Sequence, residues 1–199
     1  MPVAHTAEQK REILARWDMI TWRDCQGYEE VLGHNPLQLA LDGLKANDRF
    51  VWYDLACGDF EAGTEVWRRT DKRATVIGVE LDPNRPGERA PNLALREGDI
   101  IDYPIPTDVD LITCVHGLYY VEKLQPGGTN QALQNWYNAM PNGARLLANI
   151  SPQMPRFDAT LKAMSQALDG YTFGSWATID MVVLDITKTD QLPSIITLQ

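Results

Sequence analysis

Two acidic residues close apolar runs in this chain. Phe50-Val51-Trp52-Tyr53 leads into Asp54-Leu55-Ala56-Cys57-Gly58-Asp59-Phe60, an apolar stretch, a carboxylate and then a turn of small residues. Small side chains let a ligand approach the backbone closely. A carboxylate at a strand end suits a cationic or hydroxylated ligand better than a phosphate. The segment does not satisfy the dinucleotide fingerprint, and taken alone it also reads as a tight turn with no ligand. The second acid is Glu80, in Gly78-Val79-Glu80-Leu81-Asp82-Pro83. A carboxylate ending the second strand of a nucleotide-binding sheet can take both hydroxyls of a ribose. Its distance from Asp54 is near the interval of about 20 residues at which such sheets place it. By itself it is equally a solvated loop carboxylate.

Three further segments follow in order: Glu97-Gly98-Asp99-Ile100, then Asp110 through Val121, then Pro141-Asn142-Gly143. The middle one carries His116 just past an apolar run, with Tyr119 and Tyr120 behind it. An imidazole with an ordinary pKa near ~6.5 can serve as a general base; the alternative is a histidine that only packs. Tyr119 and Tyr120 either line a substrate or fill core. Cys57 has no base placed beside it in sequence, so nothing supports a catalytic thiol.

These residues need elements to hold them. Thr6 and Gln9 resemble a capping box for a helix from Ala7 to about Met19, with Ile13, Leu14 and Trp17 as its apolar stripe. A loop around Gly27 and Gly33 follows. Asn35-Pro36 then opens a helix with Leu37, Leu41 and Leu44 on one side. From Arg49 the pattern alternates. Strands are expected at Phe50–Leu55, Ala74–Glu80, Asn92–Glu97, Val109–Val115 and Ala144–Ile150, with two more near Ala177–Lys188 and Ser194–Leu198. Helices are expected at Glu61–Arg69, Gln131–Met140 and Ala159–Leu168. Strands alternating with helices imply a parallel sheet covered on both faces. Ligands bind such sheets at the carboxyl ends of the strands, at the switch point.

Taken in order, the five segments resemble the class I S-adenosylmethionine-dependent methyltransferases. The family's D-x-G-x-G-x-G is matched by Asp54 to Phe60, its ribose acid by Glu80 and its Gly-Asp pair by Gly98-Asp99. Its strand-four segment is matched by His116, Tyr119 and Tyr120, and its Pro-Gly-Gly-like turn loosely by Pro141-Asn142-Gly143. The resemblance spans about Arg49 to Ile150. It implies a Rossmann-like α/β three-layer sandwich: a seven-stranded, mostly parallel sheet at 49–199, preceded by a helical cap at 1–48. It implies S-adenosylmethionine as cofactor, with Asp54, Ala56, Cys57 and Gly58 at the methionine part and Glu80 with Leu81 at the ribose. Asp99 and Ile100 would flank the adenine, and Val115 would belong to the same set. It implies His116 near the sulfonium as a candidate base. Tyr119 and Tyr120, with Trp17, Trp22 and Tyr28 of the cap, would face the substrate or simply pack on the sheet.

The chain also departs from the family pattern. Ala56 replaces the first glycine, and the bulkier Phe60 replaces the last. Phe60 must turn away or narrow the methionine end. Prolines 83, 86 and 91 shorten or abolish the helix after the second strand. No Asn/Asp-Pro-Pro-Tyr follows strand four, which argues against methylation of an exocyclic amine of a DNA base. The readings that compete are a cofactor-binding but non-catalytic partner subunit and another nucleotide-using enzyme on the same sheet.

Composition narrows the partners. The 199 residues are 44% hydrophobic and 23% charged, with a net charge of −9. An acidic chain is a poor binder of phosphate backbones. The one basic cluster, Arg68, Arg69, Lys72 and Arg73, sits at a helix C-terminus, where cations offset the macrodipole. A small-molecule acceptor is therefore expected. Three widely spaced cysteines give neither a disulfide framework nor a zinc signature, so no metal is expected. No apolar run is long enough to span a membrane, and the N-terminus does not read as a signal peptide; a cytoplasmic protein is expected.

Overall fold

The computed structural model describes residues 24–81, 89–150, 158–160, 162 and 182–188. Two helices come first, α1 (Cys25–Leu32) and α2 (Pro36–Asn47). The alternating part follows: β1 (Val51–Leu55), α3 (Glu61–Arg69), β2 (Thr75–Glu80), β3 (Leu93–Glu97) and β4 (Leu111–Cys114). Then come α4 (Leu118–Leu124), α5 (Gly128–Ala139), β5 (Arg145–Ile150) and β6 (Val182–Thr187). Trp17 and Trp22, the expected helix at 7–19 and the expected strand at 194–198 lie outside the described residues.

The strands form one sheet in the order β3-β2-β1-β4-β5-β6. All neighbours are parallel except β5 and β6. The described sheet thus has six strands where seven are expected, and the sixth runs antiparallel at the edge beside β5. β1 and β4 are neighbours, although two strands separate them in sequence. The chain builds outward from β1 to β3 and then returns to the other side, so β1/β4 is the switch point.

The sheet is covered on both faces, and its strands are accordingly apolar in continuous runs. Leu118, Leu133, Trp136 and Met140 of the α4–α5 side pack with Leu55, Val79, Ile112 and Leu146. Tyr28, Leu32, Leu37, Val66 and Trp67 of α1, α2 and α3 pack with Trp52, Val76, Leu111 and Leu147 on the other face. The helix α1 occupies a stretch expected to be a loop. Asp24 caps it by accepting from the Gly27 N–H, and Gly33 ends it in the left-handed region at φ 70°. In α2 the buried side is Leu37, Ala40 and Leu44, while Leu41 is exposed. The sequence reading put Leu41 on the inner stripe; the i, i+3, i+7 set wins. α4 has no expected counterpart, and α5 begins three residues before the expected start at Gln131.

At the amino ends of the strands, Arg145 grips Asp185 with Nε at 2.7 Å and Nη2 at 2.6 Å. His34, between α1 and α2, lies 3.0 Å from the same carboxylate. This cluster ties the helical face to the β5–β6 edge, far along the strands from their carboxyl ends.

Candidate functional site

The turn after β1 is a strained one. Ala56, Gly58 and Phe60 all have left-handed backbones, at φ 55°, 57° and 62°. An L side chain there costs roughly 1–2 kcal/mol. Hydrogen bonds hold the turn against β2: Ala56 N–H donates to the Val79 carbonyl at 2.8 Å, and Gly58 N–H donates to Glu80 Oε2 at 3.0 Å. The other oxygen of Glu80 accepts its neighbour's backbone, Leu81 N–H, at 2.8 Å. Glu80 is therefore a buried strand-end acid that faces the β1 turn rather than a solvated loop carboxylate.

Phe60 turns away. Its ring fills space left by two glycines: a Cβ on Gly63 would come within 2.2 Å of it, and one on Gly78 within 2.6 Å. The ring lies between α3 and β2, buried. Phe60 thus leaves the turn open, and the glycines that admit it are the structural counterpart of the missing family glycine.

Asp54 is fully buried one strand register below. Tyr28 Oη of α1 lies 3.0 and 2.8 Å from its two oxygens and donates there. Thr113 Oγ1 of β4 donates to Oδ1 at 2.7 Å, and Trp52 Nε1 donates to that hydroxyl at 2.7 Å. Burial pushes the Asp54 carboxyl up to about 7, the two hydroxyl donors pull it down, and the Glu80 charge adds to the rise. Burial, with the Asp54 charge beside it, raises the Tyr28 phenol well above its ordinary value. Asp54, expected to help hold the methionine part of a cofactor, anchors Tyr28 here, and Tyr28, expected either to face a substrate or to pack on the sheet, is turned inward onto that acid. Both effects follow from a carboxylate inside an apolar sheet, which needs donors from the protein.

Across the switch point, Ala56 meets the end of β4. A Cβ on Gly117 would lie 2.7 Å from Ala56 Cβ and 2.6 Å from Cys114 Sγ. His116, just before it, is a non-glycine residue at φ 53°. Its backbone N–H donates to Asn149 Oδ1 of β5 at 2.8 Å. Its ring is stacked with Tyr119 of α4 at 6.2 Å between centroids. Burial lowers the imidazole to about 4, so it is neutral at pH 7. Val115 and Tyr119 are buried beside it, and Tyr120 is half-buried.

The third strand end completes the rim. Gly98 N–H donates to the Glu80 carbonyl at 3.0 Å. Asp99 accepts from Ile101 N–H at 3.0 Å, and Ile100 is buried. The carboxyl ends of β1, β2, β3 and β4 therefore bring together Ala56, Cys57, Gly58, Glu80, Leu81, Asp99, Ile100, Val115 and His116. Sequence reasoning did not find Asn149 or Thr113. The signal available was a lone polar residue inside each of two apolar strands.

Solved structures share this fold. The bifunctional kinase-methyltransferase WbdD aligns with a TM-score of 0.50 at 15% identity, over 73% of this chain and 33% of that one. The chain has the fold of the class I S-adenosylmethionine-dependent methyltransferases. Two more with this fold are similar at lower scores. One is a TehB-like S-adenosylmethionine-dependent methyltransferase from Corynebacterium glutamicum, with a TM-score of 0.45 and 19% identity, over 81% of this chain and 84% of that one. The other is the sugar N-methyltransferase KedS8 from Streptoalloteichus, with a TM-score of 0.42 and 14% identity, over 74% of this chain and 54% of that one. No protein-family profile matches the chain, and no curated protein matches it in sequence.

The residues of the methyltransferase fold here suit its cofactor. Glu80 offers two carboxylate oxygens at the end of β2, and each has acceptor capacity beyond one N–H; vicinal hydroxyls are the matching donors. With Phe60 folded away, Ala56, Cys57 and Gly58 would face the methionine part of such a cofactor. Ile100 would supply an apolar contact for an adenine and Asp99 an acceptor next to it. Among the described residues no helix is long and apolar enough to cross a membrane, and no group of three metal-ligating side chains converges.

Proposed function

We propose that the chain transfers the methyl group of S-adenosylmethionine to a nucleophilic O, N or C atom of a small molecule. The observation that carries this reading is the pairing across the switch point. Glu80 lies against the β1 turn on one side, and His116 stands at the end of β4 on the other. When bound, the cofactor supplies an electrophilic methyl carbon on a positively charged sulfur. The protein's part is to hold donor and acceptor in line and to exclude water. Glu80 would hold the ribose, the turn from Ala56 to Gly58 the methionine part, and Asp99 with Ile100 the adenine.

His116 is the group that could take a proton at Nδ1 or Nε2. Its low basicity sets when. A base with a pKa of about 4 accepts a proton only once the acceptor atom has begun to carry positive charge. That suits a hydroxyl acceptor, whose proton becomes strongly acidic as the new bond forms. The net charge of −9 favours a small or cationic acceptor over a nucleic acid. A cytoplasmic location would keep the three buried cysteines reduced.

The test is in two steps. Thermal shift and calorimetry compare S-adenosylhomocysteine with NAD; binding of the former at micromolar affinity supports the reading, and no response at millimolar concentration ends it. Radiolabelled S-adenosylmethionine is then offered with a panel of phenols, alcohols, amines and carboxylic acids. Binding without turnover on the whole panel would favour a non-catalytic partner subunit.

A further inference from the structure

Asn149 lies on β5, a strand whose other buried residues are apolar, and it is fully buried. It makes two different contacts with one residue. Its Oδ1 accepts the His116 backbone N–H at 2.8 Å. Its Nδ2 lies 3.2 Å from His116 Nδ1 and 3.3 Å from Nε2. The orientation of the amide is decided by the first contact: a backbone N–H can only donate, so the atom facing it must be the oxygen. The nitrogen therefore faces the ring. It reaches both ring nitrogens about equally, and an amide nitrogen only donates, so the ring must keep at least one nitrogen lone pair to receive it. An imidazolium, with both nitrogens protonated, would set N–H against N–H.

We propose that Asn149 is the positioning residue for His116: one end of its amide holds the histidine backbone in the left-handed region, and the other holds the ring neutral and oriented. This rests on the reading of His116 as the proton acceptor at the methyl-transfer centre. A left-handed conformation at a non-glycine residue persists only where its surroundings over-determine it. The Asn149 oxygen supplies that constraint from the neighbouring strand, across the β4–β5 pairing that sets Cys114 opposite Ala148. Tyr119, stacked on the ring from α4, is a titratable group set against it there. The low basicity of the imidazole comes from burial, and the amide donor acts in the same direction. Apolar strands tolerate a buried polar residue only when it is satisfied, and His116 meets Asn149 at both ends of its amide.

The test uses nitrogen-15 NMR of the imidazole rings in the full chain. The chain has three histidines, and His116→Gln assigns the signals. In the wild type, the His116 ring should stay neutral through pH 5. Asn149→Asp keeps an oxygen for the backbone N–H but turns the ring-side donor into a carboxylate. The ring should then titrate higher by about 1–3 pH units, as for a base beside an opposite charge. Asn149→Ala removes the donor to the neutral ring and should raise its titration by a smaller amount. An unchanged ring titration in folded Asn149→Asp would overturn the proposal. A wild-type measurement decides if both variants fail to fold. Nuclear Overhauser contacts between the Asn149 amide protons and the His116 ring support it, and their absence overturns it. Calorimetry with S-adenosylhomocysteine runs in parallel on the wild type. Loss of cofactor binding there would sink the methyltransferase reading, while the ring titration would still decide what Asn149 does.

Discussion

The Tyr28 hydroxyl stands 3.0 and 2.8 Å from the two carboxylate oxygens of Asp54, fully inside the protein. This contact fastens α1 to the centre of the sheet. It also ends a run of hydrogen bonds that starts at Trp52 and passes through Thr113. A carboxylate in an apolar interior is costly unless donors surround it. Two hydroxyls lessen that cost without removing it, which is why the Asp54 carboxyl titrates near 7 rather than at its ordinary 3.8. The residue beneath the β1 turn is thus an acid on the edge of ionisation, held by the helix in front of it.

That state predicts a pH signature in stability. In the folded chain Asp54 keeps its proton to about 7; unfolded, it loses it near 4. Between these values the folded state binds more protons, so the Asp54 contribution to stability falls as pH rises. The slope is at most about 1.4 kcal/mol per pH unit. Asp54→Asn keeps the shape and removes the titration. The melting temperature of the wild type minus that of the variant should therefore fall from pH 4 to pH 7 and level off above. A difference that stays constant across that window would mean that Asp54 is ionised throughout.

Phe60 and Gly78 should behave as a matched pair. Gly78→Ala would place a methyl 2.6 Å from the Phe60 ring and 2.7 Å from Cys57 Sγ. Overpacking of this kind costs about 1–3 kcal/mol, and Phe60→Ala should cost about 3–5 kcal/mol through the cavity it leaves. The double variant should cost clearly less than the two together, because the new methyl enters the vacated space. Urea unfolding measures all three; strict additivity would mean that the two side chains do not meet.

What the sequence made legible were the segments where one strong signal acts alone. β1, β2, β4 and β5 are apolar runs, and Glu80 stands out because it ends one. Segments where two signals compete were lost. Gly27 reads as a breaker, yet a glycine inside a helix costs only about 1 kcal/mol. The Asp24 cap and the burial of Tyr28 and Leu32 outweigh it, so α1 forms. α4 is seven residues with no side-chain cap, too short for a periodic pattern to show. The roles of Asp54 and Asn149 depend on which neighbour stands opposite, Tyr28 in one case and His116 in the other. Those pairings arise from strand order and helix placement, which residue spacing does not encode.

Glu80 ties the β1 turn to the end of β2 and is the proposed ribose acceptor. Glu80→Ala should weaken S-adenosylhomocysteine binding at least tenfold, since each lost charge-assisted hydrogen bond is worth about 1.5–3 kcal/mol. It should also loosen the turn, because Gly58 N–H loses its partner. Glu80→Gln retains one oxygen and should fall between the two in affinity. Calorimetry on the three proteins checks the order. Equal affinities would place the ribose on another group.

The sharpest prediction concerns the pH profile of turnover. Residue type alone would have the rate fall as pH drops through about 6.5, the ordinary histidine value. Burial moves the His116 imidazole down to about 4. If His116 accepts the proton, the rate should stay level from pH 8 to about 5 and drop only as pH approaches 4. His116→Ala should lower turnover by about 10²–10⁴ and abolish that acid limb, with affinity for S-adenosylhomocysteine little changed, because the proposed cofactor contacts lie at other strand ends. The same shift acts on stability with a definite sign. A histidine whose folded pKa is depressed binds fewer protons folded than unfolded, so the wild type should gain stability relative to His116→Ala as pH rises from 4 to about 6.5. Turnover is measured with the acceptor that the panel yields, and stability by melting temperature. A pH–rate curve that is the same for both proteins would remove the base role. A stability gap that still follows pH would then leave His116 as a packed, strained residue at the end of β4.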